Sequence, residues 1–234
     1  MKRIPRIYFS FRSPFSWLAV ERLERLAPAL AETIEFIPYW EPDVITAARL
    51  EAGGATIHYG AMSKAKHLYI LQDVRRLARK NGLDVVWPVD VDPVWEVPHL
   101  AWIKARRFGL ARRFYKAIVE ARWRRGENIC SPAVIRRLAE SLGLNGDEIA
   151  GALDEEDVRQ EGVRCLVQAY EDDIFGVPYL RNGHHRFWGF DRVDDFLAVV
   201  AEGNEERARM VPPPLAKLFE KATSYDRDMP GGCG

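Results

Sequence analysis

The sequence predicts an α/β fold in which two short segments, far apart in the chain, share one sheet around a long all-helical insertion. Three observations carry this. Residues 7–9 and 34–40 read as strands flanking an amphipathic helix. Residues 178–188 read as a hairpin leading into another amphipathic helix. Most of the chain between them carries helical periodicity.

Taken in order, Ile7-Tyr8-Phe9 is a short apolar run of the kind buried in a sheet. It breaks at Arg12-Ser13, and Pro14 opens a helix to about Leu30, with Leu18, Leu23, Leu26 and Leu30 near helical spacing. Ser13 stands at the N-cap, beside unpaired N–H groups and the positive end of the helix dipole. Ile34-Glu35-Phe36-Ile37-Pro38-Tyr39-Trp40 alternates, and the crossover makes it parallel to the first strand. From about Pro42 the pattern is helical. Helices are expected over 61–81, ending before Gly82, over 97–108 and 110–125 with Gly109 between them, over 132–142 capped by Ser131, and over 156–173. Trp87-Pro88, Asp92-Pro93 and Val97-Pro98 make one stretch irregular. Strand character returns at 178–181, turns at Asn182-Gly183 and runs back over 184–188. Val193, Phe196, Leu197 and Val200 mark the last helix.

The order β-α-β, helical insert, β-β-α is that of a thioredoxin-like fold. Residues 1–42 and 174–203 would form that domain and 43–173 the insertion. Residues 204–234, with Pro212-Pro213-Pro214 and helical character around 215–222, would form a C-terminal extension.

Composition narrows the function. The 234 residues include 34 Lys plus Arg and 34 Asp plus Glu, so nothing in the balance calls for nucleic acid or an anionic membrane. No apolar run approaches the roughly 20 residues of a membrane span, and the start lacks the long apolar core of a signal peptide. Cys130, Cys165 and Cys233 are scattered, with no C-x-x-C, which fits a reducing, cytoplasmic setting. His58, His67, His99, His184 and His185 form no ligand pattern, so no metal is expected. The arginine clusters 106–107, 112–113 and 122–125 read as solvated faces or a dimer interface.

Four blocks carry a resemblance. Phe11-Arg12-Ser13-Pro14-Phe15-Ser16-Trp17-Leu18-Ala19 resembles the S-P-[FY]-S-[WY]-L motif of the 2-hydroxychromene-2-carboxylate isomerases and kappa-class glutathione transferases, cysteine-free relatives of the DsbA-type thioredoxin fold. Phe175-Gly176-Val177-Pro178-Tyr179 with Phe187-Trp188-Gly189-Phe190-Asp191-Arg192 is similar to the family's F-G-V-P and W-G-x-D-R segments. Lys66-His67-Leu68-Tyr69 through Trp87-Pro88 resembles its lysine-bearing lid, and Trp123 with Glu127-Asn128-Ile129 its W-x-x-x-E-D-I pattern. The blocks keep family order over roughly residues 7 to 200.

The resemblance implies glutathione as cofactor, with Ser13 stabilising its thiolate. A hydroxyl donor at a helix N-terminus favours a thiolate on physical grounds as well; the plain alternative is a helix cap. It implies a cis Val177-Pro178 bond whose Val177 backbone meets the cysteinyl part of glutathione, against a trans proline that merely starts a strand. Asp191 would take the γ-glutamyl end, or only complement the helix dipole; Phe190, where the family often has a small or amide residue, offers no side-chain hydrogen bond. Lys66, or Lys64, would reach the glycine carboxylate, or be a solvated lysine; the position of a family asparagine upstream falls on Gly60. Phe15, Trp40 and Trp87, with Tyr59 and Trp95, are candidates to line an acceptor pocket, or are core. The expected activity is isomerisation of an aromatic, 2-hydroxychromene-2-carboxylate-like or polyketide-like substrate. The alternatives are kappa-type conjugation of electrophiles and a non-catalytic binding protein of the same fold. The family also implies a homodimer.

Overall fold

A computed structural model of the protein describes residues 4–57 and 62–202. Tyr59, Gly60, the expected helix start at Ala61, the C-terminal extension and Cys233 lie outside them. Among the described residues the sheet has four strands, in the spatial order 35–38, 6–9, 179–182 and 185–188. β1 (Arg6–Phe9) pairs in parallel with β2 (Glu35–Pro38), Tyr8 opposite Ile37. On its other edge it pairs antiparallel with β3 (Tyr179–Asn182), Tyr8 opposite Tyr179. β4 (His185–Trp188) closes the hairpin. Ile7, Tyr8 and Phe9 are all buried, as befits a strand covered on both faces. The hairpin turn is Gly183-His184, one residue later than expected, with Gly183 at φ +64° and Asn182 still paired with His185.

The first helix ends sooner than its leucine spacing suggests. α1 (Pro14–Leu26) stops at Ala27 because Pro28 excludes helical geometry from the residue before it. Pro28 then opens the short α2 (Pro28–Thr33). α3 (Val44–Ala52) was hidden by its weak pattern; Asp43 caps it by accepting from Thr46 N–H at 2.7 Å. α4 (Lys64–Lys80) is capped by Ser63. α5 (Glu96–Arg107) and α6 (Ala111–Val119) are separated at Gly109, φ +73°. The helix expected to run from 110 to 125 changes winding: residues Glu120–Arg124 form a π-helical turn that buries the consecutive residues Ala121, Arg122 and Trp123. α7 (Pro132–Glu140) begins after Ser131, whose side chain makes no capping bond. α8 (Gly146–Ala150), α9 (Glu156–Glu171) and α10 (Val193–Glu202) are the remaining α-helices among the described residues, and a 3₁₀ turn at Phe190–Arg192 precedes α10.

α5 is the hub. Every residue from Glu96 to Ala105 is buried, so the helix is enclosed rather than amphipathic. The insertion and the sheet share one core: Phe9 meets Trp102 and Tyr115 edge-on at 5.2 and 5.1 Å. α9 packs closely on α5, because a Cβ at Gly162 would stand 2.7 Å from Leu100 and 3.1 Å from Trp40. At the other end of the sheet, Asp172 after α9 receives Tyr8, Arg6 and Arg181, locking α9 to β1 and β3. Among the described residues no helix is long and apolar enough to cross a membrane.

Candidate functional site

The loop after β1 carries the site. Ser13 N–H donates to Ser10 C=O at 3.1 Å, which closes the turn. Ser13 Oγ accepts from Ser16 N–H at 3.1 Å, so it caps α1. The same hydroxyl donates to the carbonyl of Val177 at 3.4 Å, a long and weak bond. Two motifs 164 residues apart in sequence thus converge on one oxygen. The Val177-Pro178 bond is cis.

The next contact extends the array. Pro178 C=O accepts from Gly189 N–H at 3.0 Å. Gly189 sits at φ +109°, and a Cβ there would stand 2.7 Å from Asp191 Oδ1. The Asp191 carboxylate therefore lies over the Gly189 backbone. It is exposed, with Arg192 at 3.4 Å. Phe190 is buried, with Arg22 stacked 5.7 Å from its ring centre, so its side chain serves the core. Gly189→Ala is expected to displace Asp191 and strain the turn, weakening ligand binding about tenfold while the protein stays folded. Ligand titration alongside circular dichroism checks this.

The floor beneath Ser13 is polar and buried. His99, fully enclosed in α5, receives Phe11 N–H on Nε2 at 3.2 Å. That fixes the tautomer: Nδ1–H donates to Trp95 C=O at 2.6 Å. Burial, reinforced by Arg122, pulls the His99 pKa down to about 3, so the ring is neutral. Trp40 stacks on it at 5.0 Å and 17° and donates its indole N–H to Glu96 at 3.1 Å. Glu96 also accepts from Asp43 N–H at 2.5 Å, and burial raises its pKa. One turn of α5 thereby ties down the loops after β1 and β2. His99 and Glu96 were absent from the expected site. The only signal for them was polar residues inside an otherwise apolar helical run.

The expected pocket residues divide. Trp40 is 2% exposed and belongs to this floor, a correction to its place on a pocket wall. Phe15 and Trp87 are half-buried. Trp87 bridges His67 of α4, at 6.0 Å, to Trp123, at 5.7 Å, and Trp123 stacks on Trp17 of α1 at 6.2 Å. Val86 N–H donates to Trp123 C=O at 2.8 Å, so the stretch after α4 docks like a strand on the π-helical turn. Lys66 and Lys64 occupy the first turn of α4, Lys66 the less exposed. A concavity of about 520 Å³ lined by Arg49, Glu156, Gln160, Val163 and Arg164 shares no residue with this array.

Among the described residues the chain's own thiols are suppressed. Burial pushes Cys130 up to about 12 and Cys165 up to about 11, so both stay protonated near neutral pH. Among the described residues no group of three potential ligands gathers for a metal. What the array offers is a hydroxyl donor and a helix N-terminus for an anion, flanked by a strand-entry backbone and an exposed carboxylate.

Comparison with known proteins adds to this. The model of the DSBA-like thioredoxin domain matches residues 6–201. A 2-hydroxychromene-2-carboxylate isomerase from Sphingobium xenophagum is 29% identical over 191 residues, 80% of this chain and 92% of that protein. One from Pseudomonas putida is 26% identical over 192 residues, 80% and 88% respectively. A solved structure of 2-hydroxychromene-2-carboxylate isomerase superposes with a TM-score of 0.71 at 23% identity, over 88% of this chain and all of that one.

Proposed function

Because the chain belongs to the DSBA-like thioredoxin family, we propose that it is a glutathione-dependent isomerase of an aromatic, 2-hydroxychromene-2-carboxylate-like or polyketide-like acceptor. One observation carries the reading: the Ser13 hydroxyl meets the Val177 carbonyl beside Pro178. Among the described residues no thiol stands at this point, and the buried Cys130 and Cys165 are poor nucleophiles, which supports a sulfur that comes with the ligand.

The residues fit a tripeptide thiol. Ser13 Oγ–H has only a weak acceptor at 3.4 Å, and it can turn to a thiolate at little cost. The α1 N-terminus adds its dipole to the same point. Val177 offers backbone for strand-like pairing. The exposed Asp191 carboxylate suits an ammonium, and the N–H groups of the following turn suit a carboxylate. Lys66 or Lys64, on a basic first turn, suits a second carboxylate. When bound, glutathione would supply a thiolate that adds to an electrophilic carbon, permits bond rotation and leaves again unchanged. Ser13 holds that sulfur deprotonated on arrival and again on departure. Cytoplasmic residence and a homodimer complete the reading, the first supported by the unpaired Cys130 and Cys165.

Titrating glutathione into the protein while following thiolate absorbance tests this. The bound thiol is expected to ionise at least about one pH unit below the free thiol's roughly 8.5. Glutathione should also be recovered unmodified after turnover of 2-hydroxychromene-2-carboxylate. An absence of binding overturns the reading, and a stable glutathione conjugate as product would instead assign transferase chemistry.

A further inference from the structure

We infer that Arg12 selects acceptors that carry a carboxylate, with Glu41 as its resident counter-ion. The sheet order supplies the geometry. β1 lies between β2 and β3, and its loop presents Arg12 and Ser13 side by side. Ser13 turns toward the β3 flank, where it meets Val177. Arg12 turns toward the β2 flank, where Nη1 donates to Glu41, just beyond β2, at 2.7 Å. A thiol ligand held along Val177 leaves the Arg12 flank for the acceptor; this placement rests on the proposed function.

The Arg12 side chain is held in place. Its backbone N–H donates to Ser10 Oγ at 3.2 Å, in the loop that His99 anchors. Its guanidinium lies 5.4 Å from the centre of the Trp95 ring, and Trp95 itself is buried. Arg122 lies 5.0 Å from the same ring and is held bidentate by Asp90 at 2.9 and 2.8 Å. Arg122 is thus neutralised and enclosed, whereas the Arg12 and Glu41 side chains are 34% and 43% exposed. An ion pair that open to water is weak and exchangeable. A guanidinium lying over an indole presents its edge to a planar carboxylate, which it can grip bidentately. An incoming carboxylate replaces that of Glu41 with no change in charge balance, while a neutral analogue gains nothing from the exchange.

Binding of cinnamate and of cinnamamide, followed by tryptophan fluorescence without any thiol, tests the assignment independently of glutathione chemistry. The wild type is expected to bind cinnamate about tenfold or more tighter than the amide, a preference that shrinks as salt rises. Arg12→Gln should remove the preference and leave the amide unaffected. Glu41→Gln should tighten cinnamate about threefold or more by removing the competitor. A wild type that binds both equally, or neither, overturns the inference, as does an Arg12→Gln protein that keeps the preference. Loss of glutathione binding in the separate titration would instead sink the proposed function and leave these arms readable.

Discussion

Replacing Ser13 with alanine is expected to lower kcat/KM about 10²–10³-fold, the usual effect of removing one donor aimed at a developing or stored anion. The same change removes the cap that Ser13 Oγ provides to Ser16 N–H, costing about 1 kcal/mol of stability. These two losses are separable. Ser13→Asp keeps an acceptor for the cap but places a negative charge where the thiolate should sit. It is expected to melt near the wild type and yet be at least as inactive as Ser13→Ala. Melting curves, kcat/KM and thiolate absorbance on the three proteins decide the matter. Activity that follows stability across the set would reduce Ser13 to a helix cap.

His99→Ala should be the most damaging change to stability near the site. It opens a cavity under Phe11 and Trp40 and strands Phe11 N–H and Trp95 C=O without partners. The combined cost is about 3–4 kcal/mol, a fall in Tm of roughly 10 °C for a chain of this size. His99→Gln retains one acceptor and one donor and should recover much of it. The histidine also makes stability depend on pH. Its native pKa of about 3 lies below the unfolded value of about 6.5. Its contribution is therefore complete above pH 6.5 and drains away as pH falls toward 3, by up to about 1.4 kcal/mol per unit. Between pH 7 and 4 the wild type should lose Tm more steeply than His99→Gln. Parallel curves would show that the ring is not held neutral by the fold.

The parts of the fold with strong local chemistry could be read from the chain. Pro14 after Ser13, Gly109 between two helices and the glycine in the hairpin each impose a backbone event that nothing distant can undo. α3 and α8 escaped because their caps, Asp43 and Asn145, sit on short helices stabilised mainly by packing. The π-helical turn escaped because a change of winding leaves the same residues apolar and polar; only the burial of Arg122 beside Trp123 reveals it. At the site, Ser13, Val177, Pro178 and Asp191 belonged to recognisable blocks, and Ser13 does meet Val177 in space. Trp40 read as a pocket aromatic because sequence cannot tell an indole facing ligand from one stacked on a buried imidazole. His99 and Glu96 tie the site together through contacts 53 to 88 residues away, a separation that no local pattern records.

The central place of β1 has a consequence during synthesis. Its parallel partner β2 leaves the ribosome almost at once, but β3 follows only after the whole insertion. At 5–20 residues per second that interval is roughly 10–30 s. Throughout it one edge of β1 is unpaired, and until residue 115 has emerged Phe9 and Phe11 also lack their partners Trp102 and Tyr115. The nascent chain thus exposes an unpaired strand edge for most of its translation, a template on which another chain could pair.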